Sequence, residues 1–496
     1  MIGGLWKSAS TVALAAAAGL FVSGVAMPSA KSADLGGDCC ADLEERVAEL
    51  EATTARKGNR RVSLTITGQV HKSILLWDDG HNSGAYFGLD NTNSSSRFSF
   101  LGDARISPKM KAGFEIMIET EGPGRTAGAN QLNEDGLTSS TTYFGAANGT
   151  NNAGNSDGFF GDTRRAAGWI EHADFGRVTL GRWETAGAVG TIDLGGVGVV
   201  TGFGGVSLLN AGFFLRNSSG DFINTTWGTF LDPSAYQSRQ EVLRYDSPTW
   251  AGFVFSASIS EAAGDFTDTN WGVMLRYAGD FSGFRVAAGI GYDHSGDPAT
   301  PSSRRTNGDI IPIAVPPGPN PDINAWGGAL SIMHVASGLF LQGSYQAVEF
   351  DLSTTSGYWG DTAANKRDAD WWQIQGGIAK NWFGIGNTVL YGEYARLNDW
   401  GAGLGTGRDY SADGSSVASP VASATGFAGL DNVTSSEATV WGIGIVQNID
   451  AAATELYLGY RNFSLDLNSG ATCGNDPGTC DVEDMHLVTG GMRIRF

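Results

Sequence analysis

The chain has 496 residues, a formal net charge of −20, only 17% charged residues and 72 glycines. That balance holds too much glycine for a helical bundle and lacks the basic face a nucleic-acid binder needs. Beyond the N-terminus no stretch offers the roughly 18 consecutive apolar residues of a membrane helix, and the mean hydropathy is −0.12.

In chain order, Lys7, the apolar run from Ala9 to Val22 and the small residues after it predict a secretory signal over 1–33. Gly24-Val25-Ala26 and Ala30-Lys31-Ser32 both suit cleavage, which places the cut between 26 and 33. A short periplasmic helix is predicted over 38–58: Leu43, Val47, Leu50 and Thr54 form one narrow stripe. Asp42 and Glu44 near its start and Arg56 and Lys57 near its end complement the helix dipole. The segment reads either as a short coiled coil or as a solitary helix on a barrel mouth. Cys39 and Cys40 follow Asp38, so they lack the signature of a lipid anchor.

From Arg61 to Phe496 strand follows strand. Sixteen are predicted, over 62–77, 96–106, 109–121, 164–172, 176–184, 240–246, 251–261, 270–279, 283–293, 324–334, 338–350, 370–380, 386–397, 437–449, 454–463 and 485–496. Their connections alternate strictly between short turns, as at Ser107-Pro108, and long polar loops, as at 122–163, 294–323 and 398–436. Short turns on one rim and long loops on the other predict an all-β membrane protein, a 16-stranded antiparallel transmembrane β-barrel with an aqueous lumen. Alternation sorts the faces. Phe98, Phe100 and Ile106 oppose Arg97, Ser99 and Asp103. Glu115 and Glu119 oppose Phe114, Ile116 and Ile118, while Arg276 and Arg285 oppose apolar neighbours, so all four are expected in the lumen. In the last strand Val488, Met492, Ile494 and Phe496 form one row and Thr489, Arg493 and Arg495 the other. Trp77, Trp271, Trp326 and Trp371, with Tyr277 and Phe496 at the opposite rim, are expected to form two aromatic girdles. An edge strand of a soluble sandwich is the competing reading of any single strand.

One connection differs. Residues 185–239 are apolar and glycine-rich with five charged residues, unsuited to lie exposed in water. Cys473 and Cys480 bracket six residues of the last long loop in an exported chain, which predicts a disulfide. The histidines His71, His81, His172, His294, His334 and His486 show no metal-ligand spacing, and no cofactor is expected. Gly401, Gly403, Gly405 and Gly407 lack the strand-to-helix context of a phosphate loop. No nucleophile–base pair stands out, so an enzyme is not expected.

Residues 38–77, 97–121, 174–184 and the terminal strand closely resemble the alphaproteobacterial general porins. The resemblance implies a homotrimer in outer-membrane lipid that passes small hydrophilic solutes and ions by diffusion, with size and charge selected at a constriction. It implies that 185–239 is the external loop that folds inward; packing on neighbouring loops outside is the alternative. Glu184, Asp193, Asp221 and Asp232 are then candidates for an acidic side of the constriction. Arg97 in RFSFLG and Arg182 in VTLGRWET match constriction arginines, and Arg244 in VLRYDSP is a looser match. The inward direction of Arg182 rests on resemblance alone, since it shares parity with Val178 and Leu180. The terminal Phe496 matches the residue read by the barrel-assembly machinery. Two rival functions are a channel selective for sugars or anions, with Trp and Tyr as a greasy track, and a tether whose helix engages the cell wall.

Overall fold

The computed structural model describes residues 62–120, 129–131, 163–187, 189–202, 209, 211–231, 239–262, 265–295, 302–306, 309–312, 322–351, 366–400, 427–428, 430–431, 433–468, 471–473 and 480–496. The expected signal and helix lie outside them. The strands are β1 (Ser63–Asp78), β2 (Ser83–Asp90), β3 (Arg97–Ser107), β4 (Met110–Glu119), β5 (Thr163–His172), β6 (Gly176–Trp183), β7 (Phe214–Arg216) and β8 (Phe222–Thr226). Next come β9 (Gln240–Asp246), β10 (Phe253–Ala262), β11 (Asp265–Phe281), β12 (Phe284–Ser295), β13 (Ser302–Thr306), β14 (Asp309–Pro312), β15 (Asp322–His334) and β16 (Leu339–Asp351). The last are β17 (Lys366–Lys380), β18 (Thr388–Asn398), β19 (Phe427–Ala428), β20 (Leu430–Asp431), β21 (Ser436–Ile449), β22 (Thr454–Leu467), β23 (Thr472–Cys473) and β24 (Met485–Arg495).

Seventeen strands form one sheet, and the β1–β24 ladder, from Gln69 opposite Arg495 to Asp78 opposite His486, closes it. Along the other edge of β1, β2 pairs with Lys72 to Asp78 and β3 with Ser63 to Gln69. These two strands are one stave interrupted at 91–96, so the closed antiparallel barrel has sixteen staves. The sequence reading left 83–90 in the connection between the strands over 62–77 and 96–106, which the run NTNSSS at 91–96 ends. Here that run is a buried inward step: Gln69 Nε2 donates to the carbonyls of Ser94 at 2.6 Å and Ser95 at 2.7 Å.

The terminal residue completes the ladder. Phe496 N–H donates to Gly68 O at 3.1 Å, and Gly68 N–H to Phe496 O at 2.9 Å. Only glycine fits at 68: a Cβ would lie 2.5 Å from Arg97 O and 2.6 Å from the Phe496 ring. Short turns gather on this rim and long connections on the other, with two exceptions. β1 and β2 join on the long-loop rim through residues 79–82, with Asp78 opposite Ser83. β10 and β11 meet on the long-loop rim with Ala262 opposite Asp265, a tight hairpin where a long loop was expected.

Alternation dictates the faces. In β24 Leu487, Thr489 and Arg493 are buried, whereas Met492 and Ile494 are exposed on the outer surface. Toward the long-loop rim Trp271 contacts Tyr292, Trp326 contacts Tyr345, Trp372 contacts Tyr394 and Trp441 contacts Tyr460, with His486 stacked beyond. This outward belt runs unbroken from β11 to β24, since Tyr292 is also opposite Trp326, Tyr345 opposite Trp372 and Tyr394 opposite Trp441. Trp77 and Trp371 do not belong to it. Both share the inward parity: Trp77 packs on Phe213 and Trp371 is 1% exposed.

Candidate functional site

The chain leaving β6 turns into the barrel. Arg244 fixes the root, its Nη1 donating to the carbonyls of Glu184 at 3.0 Å and Thr185 at 3.1 Å. Ala186 N–H then donates to Ser258 Oγ of β10 at 2.7 Å, and Thr185 Oγ1 to Asp293 of β12 at 3.1 Å. Gly187 lies flat on β12, where a Cβ would stand 2.2 Å from Tyr292 O. Val189 and Ile192 seat among Met274, Ala287 and Ala329. Leu194 N–H reaches Ser331 of β15 at 3.4 Å, and Thr191 bonds Ser344 of β16 at 2.9 Å.

The segment continues through a helical turn, Gly198–Thr201. Asp193 caps it, accepting from the N–H groups of Gly196, Val197 and Gly198 at 2.7, 3.2 and 2.7 Å. Val197, Val199 and Val200 bury against Phe340, Val389, Tyr391, Val446 and Tyr457. Arg461 Nη2 donates to Thr201 O at 2.8 Å, and Asn93 Nδ2 to Val200 O at 2.6 Å. Every wall atom in this series belongs to an inward row, so residues 184–201 cross the lumen side of the sheet from β6 to β22. They end against the step at 91–96. Beneath that end, Glu393 accepts from Arg461 Nε at 2.6 Å and Nη2 at 2.9 Å.

Residues 209 and 211–231 of the same connection pack against one side of the long-loop mouth. Leu209, Phe213, Leu215, Ile223, Trp227 and Phe230 share one core with Leu75, Trp371, Leu397, Phe463 and Met485. Ion pair Arg216–Asp79, at 2.8 Å, ties it to the turn after β1. Glu483 N–H donates to Arg216 O at 2.8 Å and Ser218 N–H to Asp481 O at 3.1 Å. Cys473 and Cys480, joined by a disulfide, lie in that core.

On the opposite wall, cross-strand neighbours at one level read Arg495, Gln69, Arg97 and Glu119. A bulge in β5 between Arg165, opposite Met117, and Thr163, opposite Ile118, gives Arg164 and Arg165 to the same acidic group. Arg164 pairs with Glu119. Arg165 bridges Glu115 at 3.2 Å and Glu184 at 2.7 Å, with its guanidinium 4.3 Å from the Trp183 ring. Sequence reading missed both: adjacent arginines in a regular strand must face opposite ways, and only the bulge lets both reach acids.

The predicted residues divide accordingly. Arg97, Glu115 and Glu119 face the lumen together, and Glu184 joins them through Arg165. Arg493 lies on the same wall, paired with Glu455 and donating to Ser94 Oγ at 2.9 Å. Arg244 is inward but fully buried, held bidentately by Asp246 at 2.8 and 3.0 Å, so it anchors the root of the loop instead of forming a free basic wall. Arg276 shares Asp246 at 3.2 Å, and Arg285 meets Asp280 at the short-turn rim at 3.3 Å. Arg182 is a correction: it sits on the outward face with Val178 and Leu180, Nε donating to Thr163 O at 2.8 Å, because strand parity prevails over the motif match. Asp221 is exposed at the hairpin between β7 and β8, in the mouth and apart from Glu184. Asp232 lies outside the described residues. No group of three or more His, Cys, Asp or Glu suited to a metal occurs among the described residues.

The fold resembles the outer-membrane protein OmpT of Vibrio cholerae at 12% identity and TM-score 0.47, covering 89% of this chain and 99% of that one. Salmonella typhi OmpF in complex with daunomycin matches at 14% identity and TM-score 0.45, covering 87% and 97%. The outer membrane channel DcaP of Acinetobacter baumannii matches at 10% identity and TM-score 0.42, covering 89% and 99%. No curated relative matches the sequence. The family model described as Gram-negative porin matches residues 10–468, and the chain belongs to that family, as an outer-membrane β-barrel channel for diffusion.

Proposed function

We propose that this channel is a general diffusion porin of the alphaproteobacterial type, whose width and charge preference are set where residues 184–201 face the Arg97 wall. The observation that carries the reading is the run of wall contacts, from Ser258 through Ser331 and Ser344 to Arg461, which keeps that segment inside the barrel. Solutes pass by size, and charged walls bias which ones do. The test is planar-bilayer recording of the purified protein, wild type against a deletion of residues 186–201. The deletion should raise single-channel conductance while the barrel still folds; an unchanged conductance would mean that the segment does not limit the pore.

The remaining assignments extend this reading. The chain divides into a signal over 1–33, a periplasmic helix over 38–58 that makes cell-wall contact or a coiled coil, and the barrel over 61–496. Three copies associate through the belt-free outer sector. β1 to β6 present Ile74, Leu76, Phe87, Ile116, Ile170 and Leu180 there, without, among the described residues, the exposed Trp and Tyr that face headgroups elsewhere. Phe496 is the residue that the assembly machinery reads. A sugar track gains little support: the Trp–Tyr belt faces outward, and the inward Trp169 and Trp183 lie against Arg177 at 4.5 and 5.3 Å. A pure tether would show no conductance.

A further inference from the structure

Resting on the channel reading, we propose that the passage selects anions, and that Arg97 is the contact point for small oxyanions such as inorganic phosphate and carboxylates. The observation behind this is an imbalance across the lumen. The inward segment from Thr185 to Thr201 contains one charged residue, Asp193. Its Oδ1 accepts from Gly196, Val197 and Gln342 Nε2, and its Oδ2 from Gly198 at 2.7 Å. The carboxylate therefore caps a turn and lies against the far wall, so the described residues between 185 and 201 bring no free acid to face the arginines. An acid-against-base arrangement was expected from the candidates Asp193, Asp221 and Asp232, and the described residues do not assemble one.

On the basic side the acids are shared out. Glu455 holds both Arg493 and Arg495. Glu119 holds Arg164, and Glu115 and Glu184 both hold Arg165. Arg97 lies in the same row, between Gln69 and Glu119, and among the described residues it makes no ion pair. Neighbouring strands stand about 4.8 Å apart, so Arg495 and Arg97, separated by one strand, act on the same passing solute. Beside Arg97 the serine hydroxyls of the buried step at 91–96 are already engaged, Ser95 with Glu119 and Ser94 with Arg493. An uncompensated guanidinium fork in a narrow wet passage binds carboxylate or phosphate oxygens bidentately. The net charge of −20 would suggest the opposite preference, but exposed charges more than about 10 Å from the passage are largely screened.

The test is the reversal potential of the full-length channel in a potassium chloride gradient, with inorganic phosphate as the blocking probe. Wild type should reverse toward the chloride potential, and millimolar phosphate should reduce the chloride current. Arg97→Gln should weaken phosphate block about tenfold and move the reversal potential toward that of potassium. Lys109→Gln, on the outer short turn where Lys109 pairs with Asp174, should leave both unchanged. Cation selectivity in wild type, or an Arg97→Gln channel with wild-type reversal and block, overturns the inference. Absence of any conductance instead overturns the channel reading beneath it.

Discussion

Glu393→Ala tests how the inward segment is held. Glu393 is 7% exposed and Arg461 2% exposed, so the substitution takes the Glu393 carboxylate away from a buried guanidinium. Breaking such a pair from one side costs about 3–5 kcal/mol. The barrel itself should survive, since β18 keeps backbone ladders to β17 and β21. The segment end is held more weakly. Its three buried valines contribute about 1.5 kcal/mol each and its hydrogen bonds from Arg461 and Asn93 about 1 kcal/mol each, roughly 6–7 kcal/mol in all. Releasing that end hydrates Arg461, so most of the penalty is relieved by undocking, which becomes more populated by about two to three powers of ten. Single-channel recordings should then show brief excursions to a different conductance, and protease should cut near 197–202. The double variant Glu393→Leu/Arg461→Met, which removes both charges, should be quiet again. A Glu393→Ala channel as quiet and protease-resistant as wild type would refute the idea that this pair secures the segment.

With Cys39 and Cys40 replaced by Ser, Cys473 and Cys480 should resist thiol reagents until reduced; labelling without reductant counts against the bridge in the isolated protein. Reduction removes a short-loop constraint of about 2.5 kcal/mol, which should speed proteolysis at the long-loop mouth and leave the channel conducting. Deleting Phe496 removes a ring that is 57% exposed and packs on Phe98, a loss below about 1.5–3 kcal/mol. The expected defect is therefore slow insertion, measured as protease-sensitive periplasmic chain, with near-normal heat stability of whatever assembles. Normal insertion kinetics would remove the assembly role. Gly68→Leu, by crowding the same ring and Arg97 O, should impair closure; wild-type heat stability of that variant would show that the terminal contact is dispensable.

Much of the lumen wall was readable because a strand has one periodicity. Arg97, Glu115, Glu119, Arg276 and Arg493 fall on the inward parity that simple alternation gives them. Where a motif match competed with parity, as at Arg182, parity prevailed, since a strand cannot rotate one residue without a bulge. Where a bulge does occur, as at Arg164 and Arg165, alternation mislabels the pair, and a doubled arginine is the only hint in the sequence. Ion-pair partners were not readable at all. Arg244 and Asp246 are two apart in sequence, but the same arginine also holds the root of a loop that begins sixty residues earlier.

The sequence by itself determined the barrel: its staves, its two rims, its outward apolar rows and the chain's odd glycine-rich connection all follow from local pattern, because each strand must satisfy lipid on one side and water on the other. Only the tertiary structure decided which charges remain available in the lumen. Asp193 caps a turn, Arg244 clamps a loop root, and Arg97 keeps no acid among the described residues. A carboxylate or guanidinium can be claimed by any partner within hydrogen-bond reach, and those partners come from strands far apart in sequence. Charge type is local, whereas neutralisation depends on the closed sheet and on the path of the segment folded inside it.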